Sequence, residues 1–386
     1  MPADKRVSSI DLLRGVVMVI MALDHVRDFF HADAFHHAPD DLDHVSAATF
    51  LTRWITHYCA PVFVFLAGTS AWFVHRRRTT TQLSSFLVKR GIWLVFVEAV
   101  IISFLWTFNP TLPAIFLGVI WAIGISMIAL AGLVHLPARG ILLFGLVLVL
   151  GHNALDDLHP AGLWWGILHE QVFRMVDGRL IGFIYPLIPW IGVMALGYVF
   201  GGLYAPERDP AQRRRLLRLL GMASIALFLV LRLTDVYGDP RPWEPGREPA
   251  FAFLSVLNAT KYPPSLHYLL MTLGPAFLFL SVAEARPGPW ARRLIVFGRV
   301  PFFYYVMHLV VIHAFAILAV VLLGRPWTDM VLDTFVIREP HLQDYGFSLP
   351  VVYGVWVAVV VLLYPACRWF AQLKRERTDW WWLSYL

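Results

Sequence analysis

Apolar residues run along this chain in long blocks that short polar breaks separate. A helix needs about 20 apolar residues to cross a bilayer. Ten stretches approach or meet that length, centred on 10–29, 54–74, 90–107, 114–135, 139–153, 182–203, 216–234, 264–283, 300–323 and 350–367. The fifth is the shortest. Turn and breaker residues part them, including Asn109-Pro110, Pro137, Pro206, Pro287-Gly288-Pro289 and Pro326. The pattern predicts an all-α polytopic membrane bundle of about ten transmembrane helices, forming a single domain over 1–386. There is no evident internal repeat or low-complexity tract.

Loop charge orients such a bundle, because cytoplasmic loops collect Lys and Arg. Alternate connections hold Lys5 and Arg6; Arg76, Arg77, Arg78, Lys89 and Arg90; Arg139; Arg208, Arg213, Arg214, Arg215 and Arg218; Arg286, Arg292 and Arg293; and Arg368, Lys374, Arg375 and Arg377. The opposite connections carry only Arg174, Arg179, Arg241, Arg247, Lys261, Arg325 and Arg338. Both termini are therefore expected in the cytoplasm. The opposite loops, at about 31–52, 154–181, 235–263 and 324–349, are long and rich in His, Asp, Trp and Pro.

Composition agrees with a membrane protein. Of 386 residues, 58% are hydrophobic and 15% charged, against about 25% charged in soluble chains. The formal charge of +6 is scattered in short basic clusters, which is no signature of a nucleic-acid partner. Cys59 and Cys367 lie near opposite ends in apolar context, so neither a disulfide nor a cysteine metal site is expected. No small-residue cleavage site follows the first apolar run, which reads as a retained helix.

That first run carries Asp11, Arg14, Asp24, His25, Arg27 and Asp28. Charged groups cost about 2.5–3.5 kcal/mol each at mid-membrane on insertion scales and usually line a site or wet cavity. Asp24, Arg27, Asp28 and His31 follow i, i+3, i+4, i+7 spacing and share one face, with His25 about 100° round the helix. An Asp beside a His can orient an imidazole for base catalysis. Arg27 and Asp28 can equally pair at the interface. In the second run, His57 lies one turn inside the outer face, after Arg53 and before Pro61, while Gly68, Thr69 and Ser70 permit close helix approach. His57 is expected to join Asp24 and His25, since the first two helices should be antiparallel neighbours.

Further along, Lys261 and His267 flank Tyr262-Pro263-Pro264 at the mouth of the eighth run. Lys261 could hold an anionic group or be a solvated loop lysine. The ninth run places His308 near mid-membrane, His313 further out and Arg299 near the cytoplasmic end. Glu98 and Arg232 are other intramembrane charges, candidates to pair with each other or with histidines. His36, His37, Asp40, Asp41, Asp43 and His44 crowd one loop without a compact ligand motif, and no metal is expected. No Gly-rich nucleotide loop or G-x-S-x-G elbow occurs.

Five segments, Arg6–Gly15, Ala60–Gly68, Pro189–Gly197, Lys261–Leu266 and Gly298–His308, together resemble bacterial membrane proteins of unknown function grouped with the heparan-alpha-glucosaminide N-acetyltransferase catalytic-domain family, in the transmembrane acyltransferase superfamily. The resemblance is collinear over nearly the whole chain. It implies a multi-pass enzyme that takes acetyl from cytosolic acetyl-CoA and places it on a sugar across the membrane, with a histidine near the far face central to the chemistry. The family's Asn at the outer end of helix one stands here as Asp24, its Asp before the helix-two Pro as His57, and its Gln-Arg pair in helix four as Trp121-Ala122. Its essential loop histidine could match His31, His36 or His37.

The expectation is thus a bacterial inner-membrane acyltransferase moving acetyl or another acyl group from cytosolic acyl-CoA to a periplasmic sugar or envelope glycan. Asp24, His25, His57 and His308 are the catalytic candidates. Arg14 and Arg299 would meet the CoA phosphates, and His31, Arg53, Lys261 and His267 the acceptor. The lipid bilayer is the other expected partner, and a homodimer is left open. The alternatives are a proton-coupled transporter or flippase without acyl chemistry, and a non-catalytic assembly factor.

Overall fold

A computed structural model describes residues 7–246, 248–284, 287–377 and 379–384. Lys5, Arg6, Arg247 and Arg286, which enter the loop-charge argument, lie outside the described residues. The helices are α1 (Ser8–Phe30), α2 (Ala47–Thr56), α3 (Cys59–His75), α4 (Thr80–Phe96), α5 (Ser103–Thr107), α6 (Val119–Leu133), α7 (Ala138–Gly151), α8 (Leu163–Leu168), α9 (Leu187–Gly201), α10 (Pro210–Thr234), α11 (Pro249–Leu257), α12 (Leu266–Ala283), α13 (Pro289–Arg299), α14 (Pro301–Leu322) and α15 (Leu349–Glu376). Three short strands, β1 (Ala114–Leu117), β2 (Val172–Val176) and β3 (Arg179–Phe183), interrupt them.

Seven helical segments among the described residues are long and apolar enough to cross a membrane: Ala47–His75, Ala138–Leu155, Leu187–Tyr204, Pro210–Thr234, Leu266–Ala283, Pro301–Leu322 and Leu349–Glu376. The other three expected spans differ for physical reasons. Helix α1 has the length but carries too many charges. The 90–107 stretch is broken by a π-helical turn, Val97–Ile102. The 114–135 stretch begins as β1, leaving 15 helical residues in α6.

The 54–74 span is two helices, not one. In a continuous helix the Pro61 ring would meet the carbonyl of His57, four residues back. The helix breaks there, at His57 and Tyr58, and restarts at Cys59 with Pro61 in the first turn. The expected 182–203 span likewise starts inside β3. Strand β3 pairs parallel with β1 and antiparallel with β2, and the β2–β3 hairpin turns on Asp177-Gly178, both at positive φ, as a two-residue hairpin turn requires.

By its contacts the chain forms two compact units. The first comprises Met1–Cys59, Phe104–Leu112 and Phe279–Leu386; the second comprises Ala60–Ser103 and Pro113–Leu278. In the first, α1 packs against α13, α14 and α15. Trp356 donates its indole N–H to the Val19 carbonyl at 2.8 Å. The α1–α13 crossing is backbone to backbone: a β-carbon on Gly15 would collide with the Leu294 carbonyl, and one on Gly298 with the Asp11 carbonyl. The end of α1 is tied to the chain before α15 by Phe347 N–H to Phe30 O (2.7 Å) and Ala32 N–H to Phe347 O (3.1 Å).

In the second unit, α4 packs on α6, and α9 packs on both α6 and α7. The two intramembrane charges do not pair as expected. Glu98 accepts the Gly118 N–H at 2.9 Å and so caps α6. Arg232 donates instead to four backbone carbonyls, those of Val256 (3.1 Å), Arg241 (2.5 Å), Ser255 (2.7 Å) and Asn258 (3.0 Å). Each solution satisfies buried polar groups that lipid would leave bare.

Candidate functional site

The first unit gathers eight of the ten expected site residues. Its centre is a histidine pair. His25 Nδ1 on α1 lies 2.6 Å from His308 Nε2 on α14, and the rings stack with centroids 4.9 Å apart. His308 is fully buried, whereas His25 is half-buried. The second nitrogen of His308, Nδ1, lies 3.0 Å from the Tyr304 carbonyl.

That geometry fixes the tautomers. A carbonyl can only accept, so His308 carries its proton on Nδ1 and presents a lone pair at Nε2. His25 must then donate from Nδ1, which leaves Nε2 as its basic nitrogen. Trp106 stands edge-on to His25 at 4.9 Å and Tyr305 at 6.4 Å. The more accessible histidine is therefore the donor of the pair, and the buried one is its hydrogen-bond acceptor.

One turn from this pair lies a buried charge cluster. The Asp24 carboxylate meets Arg27 Nη1 at 2.8 Å, Arg53 Nη1 at 2.5 Å and the Thr56 hydroxyl at 3.0 Å. Arg27 also reaches Asp28 at 2.6 Å. The Asp24 oxygens engage guanidinium and hydroxyl donors, and His308 lies against His25. Arg53, expected at the acceptor, serves as a partner of Asp24.

His57 is buried at the α2–α3 break, with its backbone N–H bonded to the Trp54 carbonyl at 3.0 Å. The preceding residue, Thr56, donates to Asp24 at 3.0 Å. His31 closes α1 and is buried, with Nε2 3.9 Å from Asp33. His313 sits between two carbonyls, Leu105 O at 3.0 Å and Met330 O at 2.7 Å; a neutral imidazole donates to only one of them at a time.

Arg14 and Arg299 converge on Asp11, at 3.6 and 3.9 Å, and Arg14 also donates to the Gly298 carbonyl at 3.4 Å. The close α1–α13 crossing at Gly15 and Gly298 brings them together. Two guanidiniums against one carboxylate leave one net positive charge, on side chains that remain partly accessible.

The other two expected residues belong to the second unit. Lys261 is nearly buried, its ammonium 5.1 Å from the Tyr262 ring centre. His267 is buried, with Nε2 donating to the Tyr237 carbonyl at 2.9 Å. Asp239, which sequence reasoning missed, organises this region: it accepts from Thr260 N–H (2.8 Å), the Thr260 hydroxyl (2.7 Å) and the Ser265 hydroxyl (2.6 Å). Its signal was a lone acid in a loop turn, Gly238-Asp239-Pro240.

In the exposed 36–44 loop, His44 Nδ1 donates to Asp41 at 2.8 Å, and this bond holds the Asp41 carboxyl below its ordinary range. His37 stacks on His44 at 4.6 Å.

Comparison with known proteins matches residues 6–233 to the family described as heparan-alpha-glucosaminide N-acetyltransferase, catalytic. No curated protein matches the chain.

Proposed function

We propose an acyl transfer for this chain, which belongs to the heparan-alpha-glucosaminide N-acetyltransferase catalytic family. The family supports a membrane acetyltransferase. Our finer reading is that cytosolic acetyl-CoA, or another acyl-CoA, donates its acyl group to an amine or hydroxyl of a sugar or envelope glycan at the periplasmic face of a bacterial inner membrane.

The observation that carries this reading is the directed His25–His308–Tyr304 chain. A base for acyl transfer needs a lone pair at an accessible nitrogen and a partner that steadies the charge it acquires. His25 Nε2 takes the proton of the acceptor N–H or O–H. The acceptor atom attacks the thioester carbonyl, the C–S bond breaks, and the CoA thiolate leaves. The proton passes from His25 to that thiolate, giving the acylated acceptor and free CoA-SH. His308 Nε2 accepts from His25 Nδ1–H throughout, and that bond strengthens as His25 becomes the imidazolium.

Arg14 and Arg299 support phosphate binding. Guanidiniums recognise phosphate oxygens in a fork, and the pair retains a net positive charge beside Asp11. His31, whose Nδ1 has no hydrogen-bond partner among the described residues, and Lys261 are the acceptor-side candidates that keep donor or acceptor capacity. His57 stays a second base candidate.

The test is incubation of the purified protein with radiolabelled acetyl-CoA and a panel of amino and neutral sugars. Label transfer or thioester hydrolysis should appear, be lost in His25→Asn and be lowered in His308→Gln, with elution on size exclusion unchanged. Absence of measurable CoA binding at every acyl length sinks the reading. Substrate-dependent proton flux in liposomes would then identify a transporter.

A further inference from the structure

We infer that His152, Asp156 and His169 bind a divalent transition-metal ion of the zinc class, and that this ion fixes the 152–169 loop beside the Lys261–Leu266 segment. All of these residues belong to the second unit.

The spacing is His-x3-Asp-x12-His. A 3-10 turn, His152–Leu155, continues α7, and Asp156 follows it directly. Helix α8 ends at His169, whose backbone N–H bonds the Trp165 carbonyl at 2.7 Å. One ligand atom from each of the three residues lies within 4.8 Å of the others. A tetrahedral ion with bonds of about 2.0–2.1 Å holds its ligands about 3.4 Å apart, and small side-chain rotations cover the difference.

His152 is the independent pointer to a ligand. It is 2% exposed, yet neither ring nitrogen has a hydrogen-bond partner among the described residues. The Pro264 carbonyl faces the ring without meeting hydrogen-bond geometry. Buried polar groups are almost always satisfied, and a metal ion would satisfy this one.

The supporting bonds are of the kind that orient metal ligands. Asn153 Nδ2 donates to Asp156 Oδ2 at 2.8 Å, while Asp156 Oδ1 stands 3.7 Å from His169 Nε2. His169 donates through Nε2 to the His152 carbonyl at 2.9 Å. Asn153 Oδ1 also accepts the Leu266 N–H at 2.9 Å, which ties the ligand turn to the start of α12. Two imidazoles and a carboxylate suit zinc and its first-row neighbours, and three protein ligands leave a position for water or substrate.

The exposed trio His37, Asp41 and His44 carries no such inference. There His44 already bonds Asp41, and water solvates the rest.

Chelator-treated full-length protein in detergent is titrated with Co2+ and then Zn2+. We expect about one ion per chain, a cobalt absorption band in the visible that zinc abolishes, and a higher unfolding temperature with zinc. His152→Ala, Asp156→Asn and His169→Gln should each weaken cobalt binding at least about tenfold, and His44→Ala should not. The wild-type titration needs no variant to fold. Absence of uptake by the wild-type protein at micromolar zinc overturns the site. So does uptake that survives His152→Ala with His169→Gln, or that disappears in His44→Ala.

Discussion

His25 and His308, 283 residues apart in sequence, share a 2.6 Å nitrogen–nitrogen hydrogen bond whose direction is set by the Tyr304 carbonyl. If His25 is the base, His25→Asn should lower turnover by about 10²–10⁴-fold. His308→Gln keeps an acceptor for His25 Nδ1–H but does not match imidazole geometry. It should lower kcat by less, with KM for the acyl donor unchanged. Steady-state kinetics across pH separate the two: loss of His25 removes the acidic limb of the profile, where the protonated base is inactive, and loss of His308 displaces it.

The Asp24 cluster makes a stability prediction. Removing one partner of a buried ion pair costs about 3–5 kcal/mol, because the other charge is left uncompensated. Asp24→Ala removes the carboxylate that Arg27, Arg53 and Thr56 share, so it should lower stability more than Arg53→Ala, after which Arg27 and Thr56 still engage the carboxylate. Asp24→Asn, which keeps the shape but not the charge, should fall between them. Unfolding in SDS or by heat ranks the three. The double variant with Arg53→Ala should be less destabilised than the sum of its singles.

Much of the fold could be read from the chain, since the long apolar runs at 216–234, 264–283, 300–323 and 350–367 correspond to α10, α12, α14 and α15. The break at His57 was encoded by Pro61. The strand Ala114–Leu117 was not separable from the helix behind it, because a short buried apolar run has no period of its own. The site was legible residue by residue and not as a set. Asp24 with Arg27 follows from i, i+3 spacing, but Arg53 and the His25–His308 bond exist only once distant helices pack. His152 and His169 were passed over because the ligand spacing straddles the end of a span and a loop.

At the α1–α13 crossing, Gly15→Ala and Gly298→Ala each drive a methyl group into a backbone carbonyl, of Leu294 and Asp11 respectively. Backbone cannot rotate away, so each should cost about 1–3 kcal/mol or more. The same shift separates Arg14 and Arg299 from Asp11. On the proposed function, KM for acyl-CoA should then rise more than kcat falls, which initial-rate measurements at varied donor concentration would show.

Arg232 is a structural cation by its contacts. Lysine at 232 keeps the charge but cannot reach four carbonyls spread over Arg241, Ser255, Val256 and Asn258. Losing even one such charged hydrogen bond costs about 1.5–3 kcal/mol. Arg232→Lys should therefore lower the unfolding temperature and open the 241–258 segment to limited proteolysis. Catalytic constants of the surviving folded fraction should stay near wild type.

His31 gives a pH prediction. Burial holds its pKa below the ordinary 6.5, with Arg27 acting in the same direction and Asp33 opposing. A histidine with a depressed folded pKa binds fewer protons folded than unfolded, so stability rises with pH across that window. The contribution is complete above the unfolded value near 6.5 and is lost as pH falls toward the folded value. Thermal unfolding measured between about pH 7 and pH 5 should show a progressive fall in midpoint. His31→Gln removes the titrating group, so it should flatten that fall while lowering the midpoint at neutral pH only modestly.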